Sequence, residues 1–254
     1  MLSFKLSKFF ADYKFTPSDL SLNKDELVVD VLQNLPQQTN KLFVELSEKN
    51  LSGSSLLDDV FVDAEGGIYC KKSIKLVKPY VSARYRIYIA AGVLVEPCAF
   101  IKGNSVILSE AKIRHSCYIR GNSIIGPGAV VGHCSEIKSS ILFPYSSVGH
   151  FNYVGDSLVG SYVNLGAGAK LANLEFRCLG DKKKNFLPKI KFNTGKENLA
   201  SDLSKCGSII GDGSEIGCNA VLAPGCFLGK NCVVWPTVFL KKGVYPPKFK
   251  AKLV

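Results

Sequence analysis

Residues 89–137 read IAAGVLVEPCAFIKGNSVILSEAKIRHSCYIRGNSIIGPGAVVGHCSEI. Taking every sixth residue gives Ile89, Val95, Ile101, Ile107, Ile113, Ile119, Ile125, Val131 and Ile137, nine β-branched aliphatics in unbroken register. Four places after each stands a small or medium residue: Val93, Ala99, Ser105, Ala111, Cys117, Ser123, Ala129, Ser135 and Ile141. Both sets are expected to point inward. A six-residue step holds one short strand and one turn, so three steps close a triangular coil of a parallel β-helix. The pattern resumes at Ile210, Ile216, Leu222, Leu228, Val234 and Leu240, with Ser214, Ala220, Cys226, Cys232, Val238 and Val244 as partners. Hexapeptide periodicity points to the left-handed form, an exception to right-handed parallel crossovers. The fold expected is a mainly β, left-handed parallel β-helix.

Residues 1–75 carry no hexad and read as a small N-terminal α/β cap. The runs at 24–35 and 37–50 each place apolar residues on one helical face, among them Leu27, Val28, Val31 and Leu32, with Pro36 as the break. Ser52 to Ser55 read as a loop, and VFVDAEGGIYC as a hairpin turning at Gly66 and Gly67. The first β-helix run then covers 76–175, a basic insertion 176–206 interrupts it, and 207–254 hold the second run and a tail. Pro246 and Pro247 are expected to end the coil. Whether the cap covers the open end of the core, as solenoid caps do, or docks a partner is left open.

The apolar share of 46% with 21% charge suits a soluble globular protein. MLSFKLSKFF lacks the apolar core and cleavage site of a signal peptide, and no stretch is long enough to span a membrane, so a cytoplasmic protein is expected. Cys117, Cys226 and Cys232 fall on inward positions and read as reduced core fillers. The net charge of +11 suggests an anionic small-molecule partner. Much of the excess, including Lys182, Lys183, Lys184, Lys189, Lys191, Lys196 and Lys205, lies in the insertion, either as a solvated loop or as part of a site. It lacks the aromatic platforms that single-stranded nucleic acid requires, so no nucleic acid is expected as a partner.

Residues 18 apart stack at ~4.8 Å in an 18-residue coil. Lys102, Arg120 and Lys138 obey that rule and form either a phosphate site or a screened row of surface cations. The three histidines, His115, His133 and His150, share one place in the repeat and are expected to stack on one face. Such a ladder reads as structural or as metal-binding. Stacked imidazoles on parallel strands converge poorly on a tetrahedral ion, so no tightly bound metal is expected.

The stretch from Glu136 to Asn173, with its E-x-K, G-H-x-x-Y-x-G-D and V-N-x-G-A-G runs, resembles the acetyltransferase half of the bifunctional N-acetylglucosamine-1-phosphate uridyltransferase/glucosamine-1-phosphate acetyltransferase family. The resemblance covers 85–175 and, more loosely, 207–244. It implies a homotrimer that transfers acetyl from acetyl-CoA to the amino group of an amino-sugar phosphate such as glucosamine 1-phosphate, feeding UDP-N-acetylglucosamine synthesis. It makes His150 the general base and Glu136 the carboxylate that orients it. Arg120, Lys138 and Tyr153 become the sugar-phosphate ligands, and Asn164 and Asn173 contacts to the sugar and its cleft. Ala167, Cys218 and Pro236 fall where coenzyme A lies, and the backbone of Gly166 to Gly168 is a candidate for stabilising an oxyanion.

The chain departs from the family at Leu174, at the insertion, and at Trp235 and Pro236, where small residues are expected against the cofactor. A sugar-phosphate or sugar-nucleotide binding module that has lost coenzyme A is therefore the alternative reading, and a metal hydratase on the histidine ladder a third. Nothing in the first 75 residues supplies the glycine-rich loop of a uridyltransferase domain.

Overall fold

A computed structural model describes residues 4–11, 22–50, 61–64, 66–193 and 198–252. Val60, Glu65, Lys196, the Ser52–Ser55 loop and most of the segment joining the first helix to the second lie outside the described residues. The aliphatic hexad positions stack as their spacing requires: Ile101, Ile119 and Ile137 are in parallel register, as are Ile107 with Ile125 and Ile113 with Val131. All of them are fully buried in one continuous core. Each such side chain contributes roughly 1.5–3 kcal/mol of apolar burial. The result is a left-handed parallel β-helix with three nine-stranded sheets, one per face.

Short strands and tight corners follow from the same repeat. The corners are turned by residues in the left-handed region, among them Asn104, Asn122, Asp156, Asn219 and Asn231. Asn and Asp tolerate that conformation through local hydrogen bonding. Asn104 also donates its amide to Asn122 Oδ1 at 2.6 Å, tying two coils together at their corner.

The first coil is closed by strands of opposite sense. The hairpin Phe61–Ala64/Gly67–Cys70 turns as expected at Gly66, and its second strand runs antiparallel to Phe100–Lys102. Ile74–Lys75 and Tyr80–Ser82 likewise pair antiparallel with the first strands of the other two faces. Each of the three sheets thus ends at its N-terminal side on a short strand in antiparallel pairing, and short edge strands limit pairing with another chain.

Two expectations fail by one residue each. Ile141, placed inward by a strict six-residue count, is paired with Ile124 and Leu158 and faces outward, while Leu142 takes the core place beside Ile125 and Val159. Val244 likewise lies outward beside Phe227, and Tyr245 occupies the inward register beside Leu228. In both cases one step is five residues long, and a one-residue shift along a strand exchanges its faces. Nor do Pro246 and Pro247 end the coil. The chain continues to Lys250–Ala251, parallel to Val233–Val234, with the prolines in the intervening corner where no ladder N–H is needed.

The N-terminal helices lie along a flank. α1 (Leu6–Phe9), α2 (Val28–Gln33) and α3 (Leu35–Lys49) cover an outward column of Val106, Ile124, Ile141, Leu158, Ile209 and Phe227 in a second core. Phe10 stacks on Phe143 at 4.4 Å, and Phe4 meets Phe227 edge-on at 5.4 Å. The break between α2 and α3 falls at Asn34, and Pro36 sits in the first turn of α3, where its missing N–H costs nothing. The basic insertion is only partly a solvated loop. Phe186 and the short helix α4 (Leu179–Lys183) are exposed, whereas Ile190, Phe192 and Cys206 return into the second core. One face of the prism is thus walled by helices, and among the described residues no helix of the N-terminal set packs on the other two.

Candidate functional site

The predicted cation column exists on a face other than the one those helices wall. Lys102, Arg120 and Lys138 each follow an inward isoleucine of the aligned strands Phe100–Lys102, Tyr118–Ile119 and Glu136–Lys138. The column ends on glycine at both sides, Gly67 opposite Lys102 and Gly155 opposite Lys138. Arg120 forms a 2.6 Å bond to Glu136 Oε1, and Lys138 lies 3.0 Å from Asp156 Oδ2. Asn173 donates its amide to the same Asp156 oxygen. Five charged or amide groups from four successive coils therefore converge on one patch.

Tyr153 completes that patch. It stands opposite Glu136, and its hydroxyl is hydrogen-bonded with Asn173. Burial, then the nearby Asp156 and Glu136 charges, push its pKa above the usual phenol value despite the opposing influence of Arg120. The hydroxyl is consequently a proton donor throughout the neutral range. Tyr153 and Asn173 close over Gly155: an added Cβ there would meet Tyr153 Oη at 2.6 Å and Asn173 Nδ2 at 2.8 Å. Gly155→Ala is expected to displace both groups while leaving the coil folded. Calorimetric titration with glucosamine 1-phosphate checks this, with a loss of affinity of roughly tenfold expected for one well-formed polar contact.

His150 lies one corner away from Tyr153, at the exposed end of the strand Ser147–His150. Its main chain is firmly held: the N–H donates to Asn152 Oδ1 at 2.9 Å, and the carbonyl accepts from Gly168 N–H at 2.9 Å. Asn152, buried to 2% exposure, also donates to Gly166 O at 2.7 Å. It is the residue that the sequence analysis missed. The signal was an amide in the inward column that otherwise holds Ala99, Cys117, Ser135, Ala169 and Ala220. Glu136 is engaged by Arg120, and no hydrogen bond joins it to His150. The carboxylate expected to orient the imidazole instead organises the cation patch.

The other two histidines form a stack by themselves, with ring centroids 5.4 Å apart and Nδ1 atoms 3.5 Å apart. His133 is in strand register with His150, but Phe151 packs edge-on against its ring at 5.3 Å. Among the described residues, no group of three or more His, Cys, Asp or Glu is placed to hold a metal ion.

On the face that carries the histidines, Asn164, Glu215, Cys218, Trp235 and Pro236 line a groove of about 300 Å³. The structure thus unites Asn164, Cys218 and Pro236, and separates them by a corner from Tyr153 and Asn173. Asn164 donates to Glu215 Oε2 at 3.1 Å. Trp235 is 48% exposed and flanks the groove with Lys252 above its ring. The floor is backbone: a Cβ on Gly166 would lie 2.6 Å from Cys218 N, and one on Gly217 2.3 Å from Pro236 N. Ala167 does not line this groove. In the loop Gly166–Gly168 the N–H of Gly166 serves Ile216 O and that of Gly168 serves His150 O. Of the three, only the Ala167 N–H has no acceptor among the described residues.

Residues 101–182 match the model of the GMPPB C-terminal domain, and residues 207–242 match that of the bacterial transferase hexapeptide, six repeats. Among solved structures, the acetyltransferase domain of PglB from Neisseria gonorrhoeae FA1090 in complex with acetyl coenzyme A is similar at 17% identity, with a TM-score of 0.37. That likeness covers 52% of this chain and spans half, 50%, of the other. No helix among the described residues is long and apolar enough to cross a membrane.

Proposed function

We propose that the chain transfers an acetyl group from acetyl-CoA to the amino group of an amino-sugar phosphate such as glucosamine 1-phosphate, acting as a homotrimer that feeds UDP-N-acetylglucosamine synthesis. The observation that carries this reading is the patch of Arg120, Lys138, Tyr153 and Asn173, which offers cations and neutral donors to a phosphorylated sugar one corner from an exposed imidazole. The transferase hexapeptide repeats of 207–242, which carry part of the groove at Cys218 and Trp235, agree with it.

The sugar phosphate displaces part of the internal pairing and takes over Arg120 and Lys138. The amine attacks the thioester carbonyl, forming a C–N bond and moving the carbonyl electrons onto oxygen; collapse of that tetrahedral intermediate restores the carbonyl and breaks the C–S bond. His150 in its neutral form accepts the amine proton and then returns it to the departing thiolate. The tetrahedral intermediate carries an oxyanion, for which the Ala167 N–H is the available donor. Asn152 acts as a positioning residue, fixing His150 and the Gly166–Gly168 loop in one frame.

Coenzyme A in the Trp235 groove is the element most specific to catalysis as opposed to binding alone. The indole face suits the adenine or the pantetheine arm, and Lys252 nearby suits a phosphate. Retention on immobilised coenzyme A tests it: the native chain is expected to be held and Trp235→Ala to elute earlier. If neither is retained while glucosamine 1-phosphate still binds, the chain is a sugar-phosphate binding module. The bulk of Trp235 and Pro236 in the groove, where small residues would leave room for the cofactor, is the observation that favours that second reading.

A further inference from the structure

Alongside the cation column on the same face runs a second outward column, in which Tyr69, Phe100, Tyr118, Glu136 and Tyr153 succeed one another in strand register. Phe100, Tyr118 and Glu136 keep the 18-residue spacing, whereas Tyr69 joins the column only through a strand of opposite sense. Phe100 and Tyr118 lie with ring centroids 5.7 Å apart and tilted by only 31°. Both rings are partly exposed. The Arg120 guanidinium is 6.0 Å from the Tyr118 ring, and Lys102 stands two residues beyond Phe100, ~7 Å along the extended strand. Lys102, unlike Arg120 and Lys138, has no carboxylate partner among the described residues. Gly67 stands opposite Lys102, so no side chain is paired with that cation across the strands.

From this juxtaposition we infer that the face binds a nucleoside diphosphate, the base stacked on Phe100 and Tyr118 and the phosphates held by Lys102 and Arg120. A flat aromatic platform next to cations fits a base joined to phosphates, since stacking supplies the apolar contact and the cations the charge. The platform is short. After Tyr69, Phe100 and Tyr118 the column presents the Glu136 carboxylate, which repels a continuing polyanion, and the cation column stops at Gly155. A nucleic-acid strand is therefore disfavoured against a single nucleotide. Two copies of the chain joined through this face would oppose their own cations.

The inference deepens the proposed function and rests on it in one respect, that the sugar sits at Tyr153 and Asn173. Tyr153 lies two coils below Tyr118, about 10 Å away at ~4.8 Å per coil, and Asn173 reaches it from the coil after. A nucleotide-linked amino sugar would thus span both sites, with its diphosphate along Lys102, Arg120 and Lys138.

Calorimetric titration of the full chain with UDP, GDP and ADP, and separately with inorganic pyrophosphate and glucosamine 1-phosphate, tests it. At least one nucleotide is expected to bind more tightly than pyrophosphate. Tyr118→Ala is expected to weaken that nucleotide about tenfold or more, as loss of a base–aromatic stack does, with pyrophosphate unchanged and Tyr118→Phe restoring the affinity. Lys102→Ala is expected to weaken nucleotide and pyrophosphate alike. Binding of none of the three nucleotides, or nucleotide affinity unchanged in Tyr118→Ala, overturns the inference, as does a short oligodeoxythymidylate binding more tightly than any nucleotide. Because glucosamine 1-phosphate lacks a base, its acetylation in the absence of nucleotide binding would sink this inference and leave the proposed function standing. Nucleotide binding of the expected pattern without any acetyl transfer would do the reverse.

Discussion

Replacing His150 with alanine is expected to lower thiol release from acetyl-CoA by on the order of 10²–10⁴-fold, the usual contribution of a positioned general base. Binding of the sugar phosphate is expected to change little, because Arg120, Lys138, Tyr153 and Asn173 stand on strands across a corner and none hydrogen-bonds to the imidazole. The split between kcat and KM is what separates a base from a structural residue. The His150 backbone is anchored by Asn152 and Gly168 whatever its side chain, so His150→Ala should fold normally. A purely structural role would instead appear as a lowered melting temperature with kcat near the native value. Asn152→Ala offers the contrast. It removes the anchor, leaves the carbonyl of Gly166 without that donor, and should lower stability and kcat together.

The second large effect concerns the flank. Phe227→Ala is expected to cost about 3–5 kcal/mol, as full truncation of a buried phenylalanine does. Its ring is completely buried, meets Phe4 and Phe9 edge-on, and stacks with Phe192 at 5.0 Å. Denaturant titration reads this as a lowered midpoint. Three separate parts of the chain meet at this ring: the N-terminal segment, the returning end of the insertion, and the coil itself. The loss should therefore loosen the N-terminal helices as well as the coil, visible as early proteolytic release of the first fifty or so residues. An N-terminal unit that folded apart from the β-helix would show no such coupling, and Phe227→Ala would then leave its proteolysis unchanged.

That flank also marks the limit of what spacing revealed. The inward aliphatics were legible because period and burial coincide at every sixth residue. The outward residues Val106, Ile124 and Phe227 were equally regular, each standing one place before an inward aliphatic, but an apolar residue outside a β-helix has meaning only once something is known to cover it. Ile141 was misplaced because its neighbour Leu142 is equally aliphatic, and Val244 because a strict count puts an aliphatic on the inward place that Tyr245 takes instead.

The candidate site shows the same division. Lys102, Arg120 and Lys138 could be stacked by counting, and the structure stacks them. Glu136 could not be assigned by counting. It lies in the same coil as His133 and one coil before His150, and which cation or imidazole it serves depends on side-chain reach rather than register. Its carboxylate goes to Arg120. Asp156 illustrates the opposite case: the G-D pair was visible, but its bonds to Lys138 and Asn173 join residues from three coils, which only the folded chain brings together.

The measurement that tests the central claim most directly is free-thiol release from acetyl-CoA by the native chain, with and without glucosamine 1-phosphate, with His150→Ala as control. Acceptor-dependent release that falls by at least a hundredfold in the variant is the result this account predicts. Acceptor-dependent release that persists in His150→Ala, or no acceptor-dependent release from a chain that binds both ligands, would contradict it.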